Sequence, residues 1–405
     1  MAHTSFPFPL ARLFLPSAAS PRVPALLQRE LRCGSLTLEW PDGTQMRVDT
    51  GQPGPAAHVA VRRLRALARL LTGGGIGFAE AYVDGDWDSD DPATVVELAA
   101  CNRKAMTGAF VGSLLSRIAT RLRHLRNSNT RSGSRRNIGA HYDLGNDFYA
   151  LWLDAGMTYS AAVYTDAAST LEAAHDEKYR RMFELLDARP GQHVLEIGCG
   201  WGGFACYAAQ RGLRVTGITL SAEQHEFAQA RVTAGRLRGR VEILRADYRD
   251  LTGTFDHIVS IEMIEAVGAA YWPVYFRRLS ELLAPGGRAA LQAITIDDAL
   301  FDEYCRDPDF IQTHIFPGGM LLSPSKLAEH ASKVGFRVAA SARYGEYYAR
   351  TVSAWRERFA AAWPRIEQLG FDERFRRLWS FYLAYCEGGF RSGAIDLHQV
   401  ALTKT

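Results

Sequence analysis

Ten residues near the middle of the chain, Val194-Leu195-Glu196-Ile197-Gly198-Cys199-Gly200-Trp201-Gly202-Gly203, limit its fold more than any other stretch. Val194 to Ile197 is a short, largely apolar run with the β-branched content of a buried strand. Glycines at every second position then let the backbone turn tightly before a helix. Strand, glycine turn and helix make the first step of a parallel sheet wound with helices on both faces. Downstream residues repeat the alternation. Strands are predicted at His193–Ile197, Arg214–Ile218, Val241–Ala246, His257–Ile261 and Arg288–Ile294, with Phe336–Ala340 and Ile395–Leu402 closing the sheet. Pro285-Gly286-Gly287 is expected to stop the helix before the fifth strand. The fold class read here is α/β, a Rossmann-like, doubly wound and mostly parallel sheet, with a smaller N-terminal α+β domain.

That smaller domain, 1–125, opens with a hairpin: Ser35–Trp40, a turn at Pro41-Asp42-Gly43-Thr44, and Met46–Val48. Helical periodicity is read from Ala57 to Leu71, then a turn-rich segment Glu80–Trp87, then a helix from Pro92. Residues 126–136 form a basic linker, and between Arg117 and Arg136 there are seven arginines and no acid. It reads as a solvated connector or as a contact for anionic lipid headgroups. Residues 137–405 form the sheet domain, including an aromatic-rich helical region, Trp355 to Phe390, suited to be a lid or wall for an apolar substrate.

A net charge of +3 argues against a nucleic-acid partner. Six cysteines without a CxxC pair or a nearby histidine at metal spacing point to a reducing cytosol and no metal. The apolar patch at Leu10–Leu15 is interrupted by prolines and does not read as a signal peptide, and no run reaches the roughly 18 apolar residues of a spanning helix. The expected location is therefore cytoplasmic, with any membrane contact peripheral.

The glycine loop also carries chemistry. An acid ends its strand, and Glu196 can accept hydrogen bonds from the ammonium of S-adenosylmethionine, while Gly198, Cys199, Gly200, Trp201 and Gly202 let the ligand approach the backbone. Gly198, Gly200 and Gly203 also satisfy the dinucleotide pattern GxGxxG. Two features favour a methyl donor: the acid two residues before the first glycine, and the lack of an acid ending the second strand, Thr216 to Ser221. Ligands in such folds lie across the carboxyl ends of the strands. That places Thr219, Leu220, Ser221 and Gln224 beside the cofactor, with Gln224 facing a ribose hydroxyl, and Asp247 and Tyr248 near the adenine amine. The expected class is a class I, S-adenosylmethionine-dependent methyltransferase.

Further strings, His141-Tyr142-Asp143-Leu144-Gly145-Asn146-Asp147-Phe148-Tyr149, Glu196 to Phe204, Asp247-Tyr248-Arg249-Asp250, Ile315-Phe316-Pro317-Gly318-Gly319 and Tyr385 to Arg391, resemble the cyclopropane-fatty-acyl-phospholipid synthases. The resemblance runs from about Gly34 to Lys404 and includes Gly85-Asp86-Trp87 of the full-length bacterial enzymes. It implies that a cis double bond in a phospholipid acyl chain takes the methyl on carbon, through a carbocation that needs a dry, aromatic site. A base then removes a proton, giving a cyclopropane or a methyl- or methylene-branched chain. It further implies Tyr159 and Ser160 beside the cofactor, His141, Asp143 and Asp147 ordering the segment that covers it, and a phospholipid partner at the inner membrane face. A homodimer is left open.

In that family the base is taken to be bicarbonate, held by a cysteine, a glutamate, a histidine, a tyrosine and backbone around an isoleucine. Here Glu265, Ile294 and Tyr348 keep their places, but Ala161 replaces the cysteine and Gln292 the histidine, so bicarbonate is a doubtful cofactor. The family's Ser-Ile-Gly-x-Phe-Glu-His reads Ser260-Ile261-Glu262-Met263-Ile264-Glu265-Ala266. Glu262, standing where the family has glycine, is expected to act as the base itself, hydrogen-bonded by Gln292 and Tyr348. Cys386 lies in a family motif and is kept as a catalytic candidate, although packing is its simpler use. The competing readings are a small-molecule N- or O-methyltransferase and a non-catalytic lipid-binding protein.

Overall fold

The computed structural model describes residues 27–103, 105, 129–131, 133, 134 and 144–404. They divide into two units, the first made of residues up to Thr120 plus Asp372–Ser392, the second of Arg121–Phe371 and Gly393–Thr405. In the first unit β1 (Ser35–Glu39) and β2 (Gln45–Asp49) form the expected hairpin. The helix read from Ala57 does not form there. Ala56–Val61 is a strand, β3, parallel to β1, and helix α1 runs Arg65–Val83. Val59 and Val61 prefer a pleated surface, and a run of small and β-branched residues fits either period.

β4 (Trp87–Asp88) completes the sheet in the order β2-β1-β3-β4, and α2 (Pro92–Cys101) starts at the predicted proline behind an Asp91 cap. Gly85-Asp86-Trp87 turns out to be structural: fully buried Asp86 takes Arg65 at 2.6 Å and Arg63 at 3.2 Å. The Glu373–Arg391 helix, grouped by sequence with the sheet domain, packs in this unit instead, where Arg377 donates to the carbonyls of Tyr82 and Trp87. Its partners are distant in sequence, so local patterning could not assign it.

The second unit runs α3 (Asn146–Ala150), α4 (Leu171–Leu186), β5 (His193–Ile197), α5 (Gly203–Gln210), β6 (Arg214–Thr219), α6 (Ala222–Ala234), β7 (Val241–Arg245), β8 (Phe255–Ile261), α7 (Trp272–Leu282), β9 (Leu283–Ile296), α8 (Asp298–Arg306), α9 (Pro324–Ser332), β10 (Phe336–Arg343), α10 (Gly345–Gln368) and β11 (Ile395–Lys404). Pro285-Gly286-Gly287 lies inside β9, because α7 has already ended at Leu282.

The seven strands lie in the order β10-β11-β9-β8-β5-β6-β7. β7, β6, β5, β8 and β9 are mutually parallel, and β11 is inserted antiparallel between β9 and β10. Adjacent residues of β5 feed opposite cores, as a period of two demands. Val194 joins Met182, Phe204 and Val232 on one face, and Leu195 joins Phe276, Leu279 and Leu291 on the other. The strand order reverses between β5 and β8, and the crevice at their carboxyl ends is the position that this class of sheet uses for ligands. No helix among the described residues is long and apolar enough to cross a membrane.

Candidate active site

The loop after β5 is shaped by three left-handed glycines, Gly198, Gly200 and Gly202, with φ of +79°, +51° and +79°. Side chains are strained in that region, and a Cβ on Gly198 would come 2.7 Å from Met263 Cγ. The Gly198 and Cys199 amides are tied to the Ile218 carbonyl of β6. Glu196, near the end of the strand, is 2% exposed, and among the described residues its Oε2 has no hydrogen-bond partner. Burial pushes its carboxyl up to about 8, against Lys178 and the Ala205 amide. A buried acceptor lacking a donor, beside backbone kept bare by glycine, fits the ammonium end of S-adenosylmethionine.

A second carboxylate lies past the end of β8. Glu262 has φ of +50°, and its amide is fixed to the Gln292 carbonyl of β9. Its Oε1 accepts from the Ala161 amide and from Gln292 Nε2, both at 2.7 Å, and its Oε2 from the Tyr348 hydroxyl at 2.5 Å. Gln399 of β11 orients Gln292 from behind at 2.8 Å. Burial raises the Glu262 carboxyl, and Tyr348, Ala161, Lys178 and Gln292 pull it back in part. Glu265, one turn on, accepts from the Ile294 amide at 2.5 Å, and among the described residues its Oε2 has no hydrogen-bond partner. Burial and the neighbouring Glu262 push it up to about 8.

Aromatic rings connect the two carboxylates. Centroid distances run Trp201 to Tyr149, 5.3 Å, Tyr149 to Tyr159, 5.4 Å, Tyr159 to Trp355, 5.3 Å, and Trp355 to Tyr348, 6.1 Å. Trp152 packs edge-on against both Tyr159 and Trp355. Beneath them lies a buried polar layer. Lys178 donates to Ser160 Oγ at 2.7 Å, His175 Nε2 meets the Ser160 carbonyl at 3.1 Å, and Asp154 Oδ1 stands 3.3 Å from His175 Nδ1. Burial works to raise Asp154, but His175 and the Thr158 and Gly156 amides bring it down to about 2.

Residues 129–400 match the family described as mycolic acid cyclopropane synthetase. The chain belongs to that synthetase family. It is 40% identical to the tuberculostearic acid methyltransferase UfaA1 of Mycobacterium tuberculosis, over 94% of this chain and 90% of that one. It is 37% identical to the cyclopropane-fatty-acyl-phospholipid synthase of Escherichia coli, over 86% of this chain and 88% of the other. Among solved structures, the mycolic acid cyclopropane synthase CmaA1 complexed with SAH and CTAB matches 67% of this chain and 98% of its own, with a TM-score of 0.63 and 31% identity. This synthetase-family chain is an S-adenosylmethionine-dependent methyltransferase, and the loop from Glu196 to Gly203 has the geometry to hold that cofactor.

The family frame sorts the remaining sequence candidates. Thr219 donates to Gln224 Oε1 at 2.7 Å, so what Gln224 can offer a ribose hydroxyl is its NH2. Ser221 caps α6, and Leu220 lies half-buried between them. Asp247 differs from expectation, because the Arg249 guanidinium forks onto both of its oxygens at 2.9 and 2.6 Å. That ion pair holds the carboxyl low despite burial, and an adenine amine would have to share it. Tyr248 is half-buried edge-on to Tyr275.

Tyr159 contributes its ring to the aromatic series, whereas Ser160, expected at the cofactor, is taken by Lys178 and His175. Cys386 belongs to the Glu373–Arg391 helix of the first unit. Asp147 is exposed, and His141 and Asp143 fall outside the described residues. The adjacent Asn146 accepts from Trp201 Nε1 at 2.6 Å. Sequence reading missed Asn146, Asp154, His175 and Lys178. The one available signal was a histidine and a lysine in the apolar stripe Leu171, Ala174, His175, Lys178, Met182 of α4.

Proposed function

We propose that this enzyme methylates carbon at a cis double bond of an unsaturated phospholipid acyl chain, and that Glu262 is the proton acceptor that completes the reaction. The observation carrying the reading is the aromatic series that runs from the cofactor loop to a buried carboxylate already supplied with three donors. When bound, the cofactor supplies an electrophilic methyl on sulfur. Glu196 and the glycine loop hold its amino-acid end, and Gln224 holds its ribose.

Tyr159, Trp152 and Trp355 exclude water and turn polarisable rings toward the positive charge that an attacking alkene acquires. Glu262 takes a proton from the new methyl or from the chain carbon that bears it, and the rise that burial gives its proton affinity is limited by the donors Tyr348, Ala161 and Gln292. Removal from the new methyl closes a cyclopropane, and removal from the neighbouring chain carbon leaves a methyl-branched alkene; a methylene branch forms when a hydride first shifts onto the cation and the methyl then gives up the proton. In this site Glu262 stands in for the family's bicarbonate, which explains why Ala161 and Gln292 are tolerated: the carboxylate now takes its bonds from one backbone amide and one amide side chain. Transfer to a lone pair on nitrogen generates no carbocation and needs neither the rings nor the internal base.

The test is to incubate the enzyme with vesicles of dioleoyl phospholipid and methyl-labelled cofactor, then weigh the fatty acids. A gain of one CH2 per modified chain is expected, with NMR separating cyclopropane from methylene. Absence of any mass gain in the acyl chains defeats the reading.

A further inference from the structure

A fully enclosed lysine ordinarily has a carboxylate against it, because an unpaired buried charge is costly. Lys178 is fully buried, and among the described residues its ammonium touches a hydroxyl, Ser160 Oγ at 2.7 Å, and pairs directly with no acid. Three carboxylates act on it from farther away: Glu262 after β8, Asp154 before α4 and Glu196 on β5. On α4 itself, His175 and Tyr179 flank it, the Tyr179 ring centroid lying 4.2 Å from Nζ.

The residue it holds is next to the base. Ser160 and Ala161 share one peptide plane, whose carbonyl meets His175 Nε2 at 3.1 Å and whose N–H donates to Glu262 at 2.7 Å. Two side chains three apart on α4 therefore grip this peptide, Lys178 through the serine hydroxyl and His175 through the carbonyl. A donor on the carbonyl polarises the peptide and strengthens its N–H as a donor.

We infer that Lys178 is a positioning residue for proton removal: with His175 it fixes the Ser160–Ala161 peptide against Glu262, and its ammonium is the counter-charge that Glu262 and Glu196 share. The inference rests on the reading of Glu262 as the base. A cation at that point favours the ionised form of both acids, drawing Glu262 toward its accepting form and Glu196 toward charge. Burial brings the Lys178 ammonium down to about 8, so the support fades in alkali.

The test uses the full-length enzyme on dioleoylphosphatidylglycerol vesicles, with turnover followed from about pH 5.5 to 9 across the limbs of the rate profile. The variant Lys178→Met should move the acid limb up by about one pH unit, and so cut turnover on that limb roughly tenfold, with KM for the vesicles little changed. Lys178→Arg, a permanent cation, should return the limb to its wild-type place. Ser160→Ala keeps the cation, so its limb should stay while turnover falls. An unmoved limb in Lys178→Met overturns the shared counter-charge, and wild-type turnover in Ser160→Ala overturns the positioning.

Should Lys178→Met not fold, Lys178→Arg decides the counter-charge through the alkaline side. Its turnover should hold where the wild type declines above about pH 8, and an unchanged decline overturns it. If the wild-type enzyme modifies no acyl chain, the function reading fails separately. S-adenosylhomocysteine affinity against pH still tests Lys178 through Glu196: the midpoint should rise in Lys178→Met, and an unmoved midpoint overturns the inference.

Discussion

Replacing Glu262 by glutamine removes a proton acceptor and little else. An amide oxygen in place of Oε1 keeps the Ala161 and Gln292 donors, both at 2.7 Å, and the new NH2 faces a Tyr348 hydroxyl that can rotate to accept. All three bonds change from charge-assisted to neutral, a loss of about 1 kcal/mol each. The several kcal/mol spent on burying the charge disappears with it. These changes nearly cancel, so stability should shift by no more than about 2 kcal/mol, a few degrees in Tm. Catalysis does not share in the cancellation. A positioned general base contributes about 10²- to 10⁴-fold, so kcat should fall by that factor, about 3–5 kcal/mol of barrier.

The assay is the CH2 gain in vesicle acyl chains under saturating cofactor, run beside calorimetric binding of S-adenosylhomocysteine, which should not change. A second variant, Glu262→Gly, sets glycine on a backbone with φ of +50°, leaves three donors around a vacated space, and should recover turnover when bicarbonate or formate is added but not chloride. Wild-type turnover in Glu262→Gln, with cofactor affinity intact, refutes the assignment of the base.

Tyr348→Phe removes the donor at 2.5 Å that helps hold the Glu262 carboxyl down. The acid limb of the rate should move to higher pH, with turnover on that limb falling about tenfold for one lost bond to a charged group; an unmoved limb refutes it. Gly198→Ala puts a Cβ 2.7 Å from Met263 Cγ at a φ of +79°, and S-adenosylhomocysteine affinity by calorimetry should weaken at least about tenfold. Glu196 and Glu265 are raised from 4.5 to about 8 in the folded chain. The fold therefore holds protons that the unfolded chain has released, and stability should fall as pH rises from about 5 to 8, by up to about 1.4 kcal/mol per unit for each group. Denaturant titrations across that range should show the slope flatten when S-adenosylhomocysteine gives Glu196 a partner. A flat profile without ligand contradicts the burial of these acids.

The sheet was legible where one strand meets one turn. His193–Ile197 falls where the apolar run predicts it, and each later strand of the second unit is found within a few residues of its predicted start except β9, which begins at Leu283. The early helix failed because Ala56–Val61 owes its strand form to β1, a pairing that local periodicity does not reveal. In the site, Glu262 was named from a substituted glycine and Gln292 and Tyr348 from the family's bicarbonate-holding set, and the three come together in the structure. Lys178 and His175 were invisible for the opposite reason. Their importance comes from contacts with Ser160, 15 and 18 residues earlier in the chain, and a charged residue in a helix reads as solvated until its face is known.

The left-handed backbone at Glu262 also bears on what limits the enzyme in its surroundings. A borrowed anion occupies its place only as often as dissolved carbonate allows, so its occupancy follows carbon dioxide supply and external pH. A group carried on the chain is present in every molecule, at an effective concentration that no dissolved ion reaches. Glycine and glutamate codons can differ by one base, and a position with φ of +50° suits glycine and holds glutamate at a cost of about 1–2 kcal/mol. On the proposed reading of Glu262 as the base, such a one-nucleotide change is the step that frees the reaction from dissolved carbonate.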